Sequence, residues 1–308
     1  MQAAGIDRAG APVEVIQTGE QRPLAGDEVL LEVRAAGVGN WDEFVRVGGW
    51  DVGAVPPMAL GVEAAGTVAA VGDAVSDWRP GDAVMTHPLP LRDQGTWAPM
   101  LVAPAALLAR KPRSVSWEAA AAFPIPALTA EQVLSEALRI RAGEHLLVHG
   151  AGGVTGGLLV ALAALRGAQV TATAGPASRT RVSALGARHV IDYHDQDWPE
   201  QVRAVTDGHG AAAAASAAPG GAASVIRAVA DGGRLAIITS DPPVEQRGIT
   251  VNSVYVRPDG RQLRDLATLF GDGQLQIPVA ASYRLADAAR ALAQATGGHA
   301  GGAIVLTP

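Results

Sequence analysis

Residues 144–193 read EHLLVHGAGGVTGGLLVALAALRGAQVTATAGPASRTRVSALGARHVIDY, and this stretch decides the fold. The run His145-Leu146-Leu147-Val148-His149 is short and apolar, as a strand buried in a parallel sheet must be. It empties into glycine: Gly150, Gly153 and Gly156 recur every three residues, with Gly152 and Gly157 among them. Residues 158–166 then read as a helix of Leu, Ala and Val, stopped at Gly167. Residues 169–174 form the next strand. A glycine turn lets the backbone approach a pyrophosphate, and the helix N-terminus behind it offers free N–H groups and the positive end of a dipole. The strict G-x-G-x-x-G spacing fails, because the sixth position counted from Gly150 is Thr155. A plain packing turn is therefore the alternative. The context favours a dinucleotide site, with a strand before, a helix after, and a second strand ending about 20 residues past the turn.

The end of that second strand bears on the cofactor. A site for NAD usually carries Asp or Glu there for the ribose 2′-OH, whereas a 2′-phosphate wants a cation and no carboxylate. Residues 173–181 read TAGPASRTR, with no acid among them. Ser178 and Arg179 are placed to meet a phosphate, Arg179 in bidentate fashion; Arg181 is expected on a solvated helix face. The expected cofactor is NADPH.

The 308 residues carry a net charge of −6, with 48% hydrophobic and 18% charged residues, which describes a globular chain of about two domains. The acidic balance argues against nucleic acid or an anionic membrane as partner. There is no cysteine, so disulfides, thiolate catalysis and cysteine metal sites are excluded. The seven histidines are scattered along the chain, and no metal site is expected. No basic, then apolar, leader opens the chain and no window approaches 18 uninterrupted apolar residues, so a cytoplasmic location is expected.

Residues 1 to 110 carry a β pattern. Val29, Leu31 and Val33 alternate with Glu28, Glu32 and Arg34, the period of a strand with one wet face. Glycines at 61, 66, 72 and 81 punctuate the region as in a small barrel. From Trp117 the composition turns to Ala-rich helix and an alternating pattern begins: a helix at 127–138, the glycine unit, a helix at 198–205, an apolar strand at 211–215, a helix at 222–230 and a strand at 234–238 ending in Thr239-Ser240-Asp241. Alternating strands and helices imply a doubly wound parallel sheet of Rossmann type. Helices at 262–271 and 285–295 follow, and the strand at 302–306 is suited to rejoin the first module. The expected division is 1–115 with 272–308 for the barrel domain, and 116–271 for the dinucleotide-binding domain.

These residues together resemble the medium-chain dehydrogenase/reductase superfamily, in its zinc-independent quinone oxidoreductase branch. The matching segments run in order: Gly37-Val38 with Trp41-Asp42 and Arg46; Leu60 to Gly66 (LGVEAAG); Val71-Gly72; Pro80 to Val84 (PGDAV); Gly95 to Ala98 (GTWA); Pro126 to Ala130 (PALTA); Val148 to Val154 (VHGAGGV); Leu185-Gly186-Ala187; Val190 to Tyr193 (VIDY); and Gly297 to Gly302 (GGHAGG), like the family's closing loop. The resemblance implies a GroES-like β-barrel domain beside the Rossmann domain, a cleft between them and a homodimer formed through the edge of the Rossmann sheet. It also implies metal-free hydride transfer from NADPH to a quinone or another α,β-unsaturated carbonyl, with an enoyl-type reductase of a biosynthetic pathway or a non-catalytic NADPH-binding sensor as alternatives. Zinc-dependent relatives carry Gly-His-Glu where this chain has Gly61-Val62-Glu63.

Carried over residue by residue, Gly150, Ala151, Gly152, Gly153 and Val154 meet the pyrophosphate, Ser178 and Arg179 the 2′-phosphate, Tyr193 the adenosine end, and Thr239 and Ser240 the nicotinamide ribose. The first substrate segment in many relatives reads Gly-Val-Asn-Pro-x-Asp-x-Tyr-x-Arg. Here the Asn falls on Gly39 and the Tyr on Phe44, so the usual polar groups are missing. Asn40, Asp42 and Thr129 are the remaining catalytic candidates. Their plainer readings are a turn residue for Asn40, a helix cap or an anchor for Arg46 for Asp42, and a hydroxyl bonded to its own helix for Thr129. Trp41, Trp50 and Trp97 either wall a flat quinone or fill the core.

Overall fold

The computed structural model describes residues 1–19, 22–298 and 301–308. Two compact units emerge: Met1–Ile125 with Arg257–Pro308, and Pro126–Val256.

The chain opens with β1 (Gln2–Ile6) and β2 (Glu14–Gln17), an antiparallel pair, and then the long β3 (Glu28–Val38). Helix α1 (Asn40–Arg46) follows at once. Next come β4 (Met58–Ala59), which joins β1, then β5 (Ala64–Val71), β6 (Ala83–Thr86), β7 (Met100–Pro104), β8 (Leu108–Arg110) and α2 (Trp117–Ala121). Strand β3 is the axis of this unit, antiparallel to both β5 and β7. Val29, Leu31 and Val33 face the core while Glu32 and Arg34 are exposed, as the alternation requires. Glu28 departs from it. Its carboxylate is buried because Arg22 grips both oxygens at 2.8 Å and the Ala25 N–H donates a third bond, which together hold it well below the usual carboxylate range.

The second unit begins in α3 (Pro124–Gln132), which widens into a π turn over Val133–Ala137. It continues through β9 (His145–His149), α4 (Val154–Leu165), β10 (Gln169–Thr173), α5 (Pro176–Ala184), β11 (His189–Ile191) and α6 (Trp198–Ala204). After these come β12 (Ala211–Ser216), α7 (Ala222–Ala228), β13 (Val229–Ile237) and β14 (Thr250–Ser253). The six strands are all parallel in the order β11-β10-β9-β12-β13-β14. The path runs outward from β9 to β10 and β11, then returns to β12 on the other side. This reversal puts the switch point, where such sheets take ligands, at the C-terminal end of β9. The Ala-only run of β12 is a central strand, closed over by Leu147, Ile191, Trp198, Val225 and Leu235.

Helix α8 (Gly260–Gly271), β15 (Val279–Arg284), α9 (Ala288–Thr296) and β16 (Ala303–Thr307) complete the first unit. Strand β16 pairs antiparallel with β3, Ile304 opposite Val38, and so closes the sheet as the sequence leads one to expect. The expected domain boundaries need correction: residues 116–125 and 257–271 belong with the barrel rather than with the parallel sheet. Asp259 caps α8 by accepting the Gln262 N–H, and Leu263, Leu266, Ala267 and Phe270 make its buried stripe. That stripe faces the barrel, where Phe270 stacks on Phe123 at 4.0 Å and Arg264 bonds the carbonyl of Leu108. His299 and Ala300 of the closing loop lie outside the described residues.

Candidate functional site

The glycine turn of the second unit is made by the backbone. At Gly150 φ is +82°, and a Cβ there would lie 2.9 Å from the backbone of Ala217, so both conformation and space require glycine. A Cβ on Gly156 would come within 2.2 Å of the Gly150 carbonyl oxygen, the close approach that seats α4 on the turn. The turn uses some of its own donors: the N–H groups of Gly150, Ala151 and Gly153 go to Thr173 Oγ1, the Thr173 carbonyl and the Gly150 carbonyl. No side chain caps α4 at Gly153, which leaves the first turn beginning at Val154 as the seat for an anion.

Ser178, in the first turn of α5, sits over that turn, its Oγ 3.1 Å from where a Cβ of Gly152 would be. Arg181 is not on a solvated face, contrary to expectation. It folds back, partly buried, and donates to the Gly152 carbonyl. Arg179 is exposed and donates to the Val190 carbonyl at 2.7 Å. Near it lies Asp192, whose carboxyl is lowered by the backbone N–H and ring of His194 and more weakly by Arg179. Tyr193 is exposed, its ring 4.1 Å from that of His194, and both lie beside Gly175 at the start of α5. Thr239 and Ser240 follow β13; the Thr239 hydroxyl donates to Asp241, and Ser240 takes φ +59°.

Sequence reasoning passed over His149, the last residue of β9. Its Nδ1 meets Thr173 Oγ1 at 2.8 Å, and its ring stacks on Trp198 at 5.0 Å. Burial lowers its pKa to about 4 against a smaller opposing pull from Asp241. The only signal available was a polar residue ending an apolar strand.

In the first unit, the end of β3 and the start of α1 gather the other candidates. Asn40 is the exposed first residue of α1. Asp42 is buried and caps that helix, Oδ2 accepting the Gly39 N–H at 2.8 Å. It does not anchor Arg46, which Glu43 holds through two bonds of 2.7 Å. Burial raises the Asp42 carboxyl to about 8. Glu63 is also buried and is raised well above the usual range, first by desolvation and in part by Asp42, although the Ile125 N–H bonds it at 2.8 Å. His87 donates Nδ1–H to the Val62 carbonyl at 2.6 Å, which leaves Nε2 a buried acceptor without a protein partner. Trp97 is core: fully buried, it packs on Gly61 and donates to the Gly37 carbonyl at 3.0 Å. Trp50 lies half-buried near His87, with ring centroids 6.2 Å apart. Thr129 is buried in α3, which continues into the second unit.

Among the described residues, no three His, Asp or Glu side chains gather as ligands for a metal. The donor set therefore does not fit a zinc ion of the usual three- or four-ligand kind.

Two family models match: an alcohol dehydrogenase GroES-like domain over residues 25–113 and a zinc-binding dehydrogenase over residues 185–306. A solved NAD-dependent alcohol dehydrogenase is 30% identical, with a TM-score of 0.89 and full coverage of both chains. The quinone oxidoreductase of Pseudomonas syringae pv. Tomato DC3000 is 25% identical, with a TM-score of 0.88 over 100% of this chain and 99% of that one. Among curated proteins, erythronolide synthase EryA2 of Saccharopolyspora erythraea is 39% identical over 193 residues, which is 62% of this chain and 5% of that much longer protein. The chain belongs to the medium-chain dehydrogenase/reductase superfamily of oxidoreductases that use a nicotinamide cofactor.

Proposed function

We propose that the protein is an NADPH-dependent reductase of quinones or other α,β-unsaturated carbonyls, working without a metal in the cytoplasm. The observation that carries this reading is the glycine turn at the switch point, with Ser178 over Gly152 and Arg179 one residue on. The cofactor supplies hydride to the electron-poor carbon of a conjugated acceptor. The chain's own part is to hold and orient. The uncapped first turn of α4, with Gly152, Gly153 and Val154, takes the pyrophosphate, close to Gly150 and Ala151. Ser178 and Arg179 take the 2′-phosphate, Tyr193 flanks the adenine, and Thr239 and Ser240 meet the nicotinamide ribose. Asn40 is a hydrogen-bond donor for the acceptor and Thr129 a contact for the nicotinamide, while Asp42 fixes α1.

A conjugated acceptor suits a site of this kind, because incoming charge spreads onto an oxygen that one hydrogen bond stabilises. The absence of cysteine, and of a clustered donor set among the described residues, supports a reaction without a Lewis acid. The same reading takes the protein as a homodimer joined through β14, the edge of the parallel sheet, near the exposed Tyr255. The likeness to a synthase favours, as a second reading, an enoyl-type reduction in a biosynthetic pathway. NADPH fluorescence titration followed by turnover with 1,4-naphthoquinone, 2-cyclohexenone and a crotonyl thioester tests both. Binding with turnover of the first two supports the main reading, and turnover of the thioester alone supports the second. Binding without any turnover returns the protein to the sensor class.

A further inference from the structure

We propose that His149 is a positioning residue for the dinucleotide, acting through the Thr173 hydroxyl on the glycine turn. That role rests on the cofactor reading above; the bonds behind it lie wholly within the second unit.

Thr173 ends β10, which pairs with β9, and its side chain is buried. Its Oγ1 accepts the Gly150 N–H at 3.2 Å and meets His149 Nδ1 at 2.8 Å. A hydroxyl has one proton to give and two lone pairs to offer. If Nδ1 donated, Oγ1 would accept twice, and its own buried proton would have no acceptor among the described residues, a costly arrangement. The other arrangement satisfies both atoms: Nδ1 is bare and accepts, Thr173 donates, and the ring proton is on Nε2. The ring is neutral because burial disfavours its charged form.

Its neighbours hold the ring in that orientation. Trp198 of α6 stacks on one face, 11° from parallel. Gly221 stands at the far edge, where a Cβ would lie 2.3 Å from Nε2 and 2.6 Å from Cδ2. Asp241 is the charged group that acts on the ring, and it is itself fixed by accepting the Gly220 N–H at 2.8 Å. From Nδ1 the constraint runs outward into the turn. Thr173 holds two successive amides, Gly150 through Oγ1 and Ala151 through its carbonyl at 3.0 Å, and the Gly150 carbonyl accepts the Gly153 N–H at 3.1 Å. Gly153 directly precedes the uncapped first turn of α4, the proposed seat of the pyrophosphate. A Thr173 hydroxyl committed to His149 cannot rotate away from Gly150, so the turn is set before the ligand arrives and binding does not have to order it.

His149→Leu removes the acceptor at similar volume, and His149→Asn returns one, its Oδ1 standing near the place of Nδ1. Thr173→Val and Thr173→Ser make the same comparison from the other side. His149→Leu and Thr173→Val are each expected to raise the dissociation constants of NADPH and NADH alike by about tenfold, the scale of one hydrogen bond. The double variant is expected to lose no more than either single one, and His149→Asn and Thr173→Ser to stay within about threefold of wild type. In the ¹⁵N spectrum at neutral pH, the ring signals deleted by His149→Asn are expected to be those of a bare Nδ1 and a protonated Nε2. In the protein without nucleotide, deuterium exchange at amides 150–153 is expected to quicken at least about fivefold in His149→Leu and Thr173→Val but not in their conservative partners, with β12 as the unchanged control. If His149→Leu does not fold, the Thr173 pair carries the comparison. A protonated Nδ1, equal losses in His149→Leu and His149→Asn, or additive losses in the double variant overturn the proposal. If the wild type binds neither nucleotide, the cofactor reading falls, and the ring tautomer and amide exchange still decide whether His149 sets the turn.

Discussion

The glycine turn after β9 and the end of β3 are both places where a strand runs out beside a helix, yet they are built in opposite ways. At the turn, backbone does the positioning and most polar groups have a partner: Thr173 joins Gly150 and His149, and Arg181 holds Gly152, while Ser216 Oγ, in register with His149, is buried without one. At the end of β3, Asp42 Oδ1, Trp41 Nε1, His87 Nε2 and, near Gly61, Thr96 Oγ1 are all buried without a protein partner. A surface shaped for one constant cofactor can be finished by the backbone. On the proposed reading the end of β3 faces a variable acceptor, and its unsatisfied polar atoms carry a standing cost in stability.

That cost gives the largest predicted effect. The Asp42 carboxyl keeps its proton to about 8, whereas in the unfolded chain it ionises near its ordinary value of 3.8. Between these values the unfolded chain releases a proton that the folded chain retains. Stability is therefore whole below pH 4 and falls as pH rises toward 8, by about 1.4 kcal/mol per unit at the steepest. Asp42→Asn retains an acceptor for the Gly39 N–H and is expected to be more stable than wild type at pH 8 by several kcal/mol. Urea melts from pH 4 to 9 measure this, and parallel curves for the two proteins would sink it. On the acid side both regions respond alike. His87 and His149 are each held neutral by burial, near 4 instead of 6.5, so stability present above pH 6.5 is lost as pH falls toward 4.

At the turn the sensitive atom is a Cβ. Gly156→Ala would set one 2.2 Å from a backbone oxygen and is expected to lower stability by about 2–3 kcal/mol and to abolish NADPH binding. Gly153→Ala, whose Cβ would stand 3.6 Å from the same oxygen, is expected to leave the fold intact. Thermal melts of the pair test whether backbone shape governs this end.

A smaller effect separates the two phosphates of the cofactor. Arg179→Ala is expected to weaken NADPH by about 2 kcal/mol, the scale of a charged hydrogen bond, and to leave NADH nearly untouched. Fluorescence titration with both nucleotides reads it, and equal losses would remove Arg179 from the phosphate site. Asp192→Asn, which removes the carboxylate near Arg179, should move NADPH affinity the other way.

Backbone chemistry is also why one end was legible in the sequence and the other was not. Glycine at 150 and 156 announces a turn, because no other residue fits its φ or its space, and an apolar run between such turns announces a buried strand. From these the parallel sheet followed, and the alternation along β3 placed the barrel. The helix at 260–271 was misassigned because periodicity shows that a helix has an apolar face and not which unit covers it. Glu28 reads as a wet-face residue until Arg22, six positions away, is seen to hold it. Trp41 read only as an aromatic wall or a core ring, and His87 gave no signal: whether an indole N–H or an imidazole nitrogen is satisfied depends on acceptors distant in sequence. A motif comparison could register only that asparagine was missing at position 39, and not that a ring had taken its place.

The smallest predicted effect is none. Incubation with EDTA, followed by desalting, is expected to leave enone turnover unchanged. An electrophilic metal would give the end of β3 a positive charge, which would hold Asp42 and Glu63 ionised. Among the described residues neither carboxyl pairs with a Lys or Arg side chain, and burial pushes both toward the protonated form. Loss of activity with EDTA and its return with zinc would therefore overturn more than the metal-free reading. It would also require the carboxyls to titrate low, and the loss of stability predicted for Asp42 between pH 4 and 8 would disappear in the metal-loaded protein. The two measurements constrain each other: activity kept in EDTA, together with stability that falls as pH rises from 4 to 8, would point to neutral buried carboxyls at the end of β3.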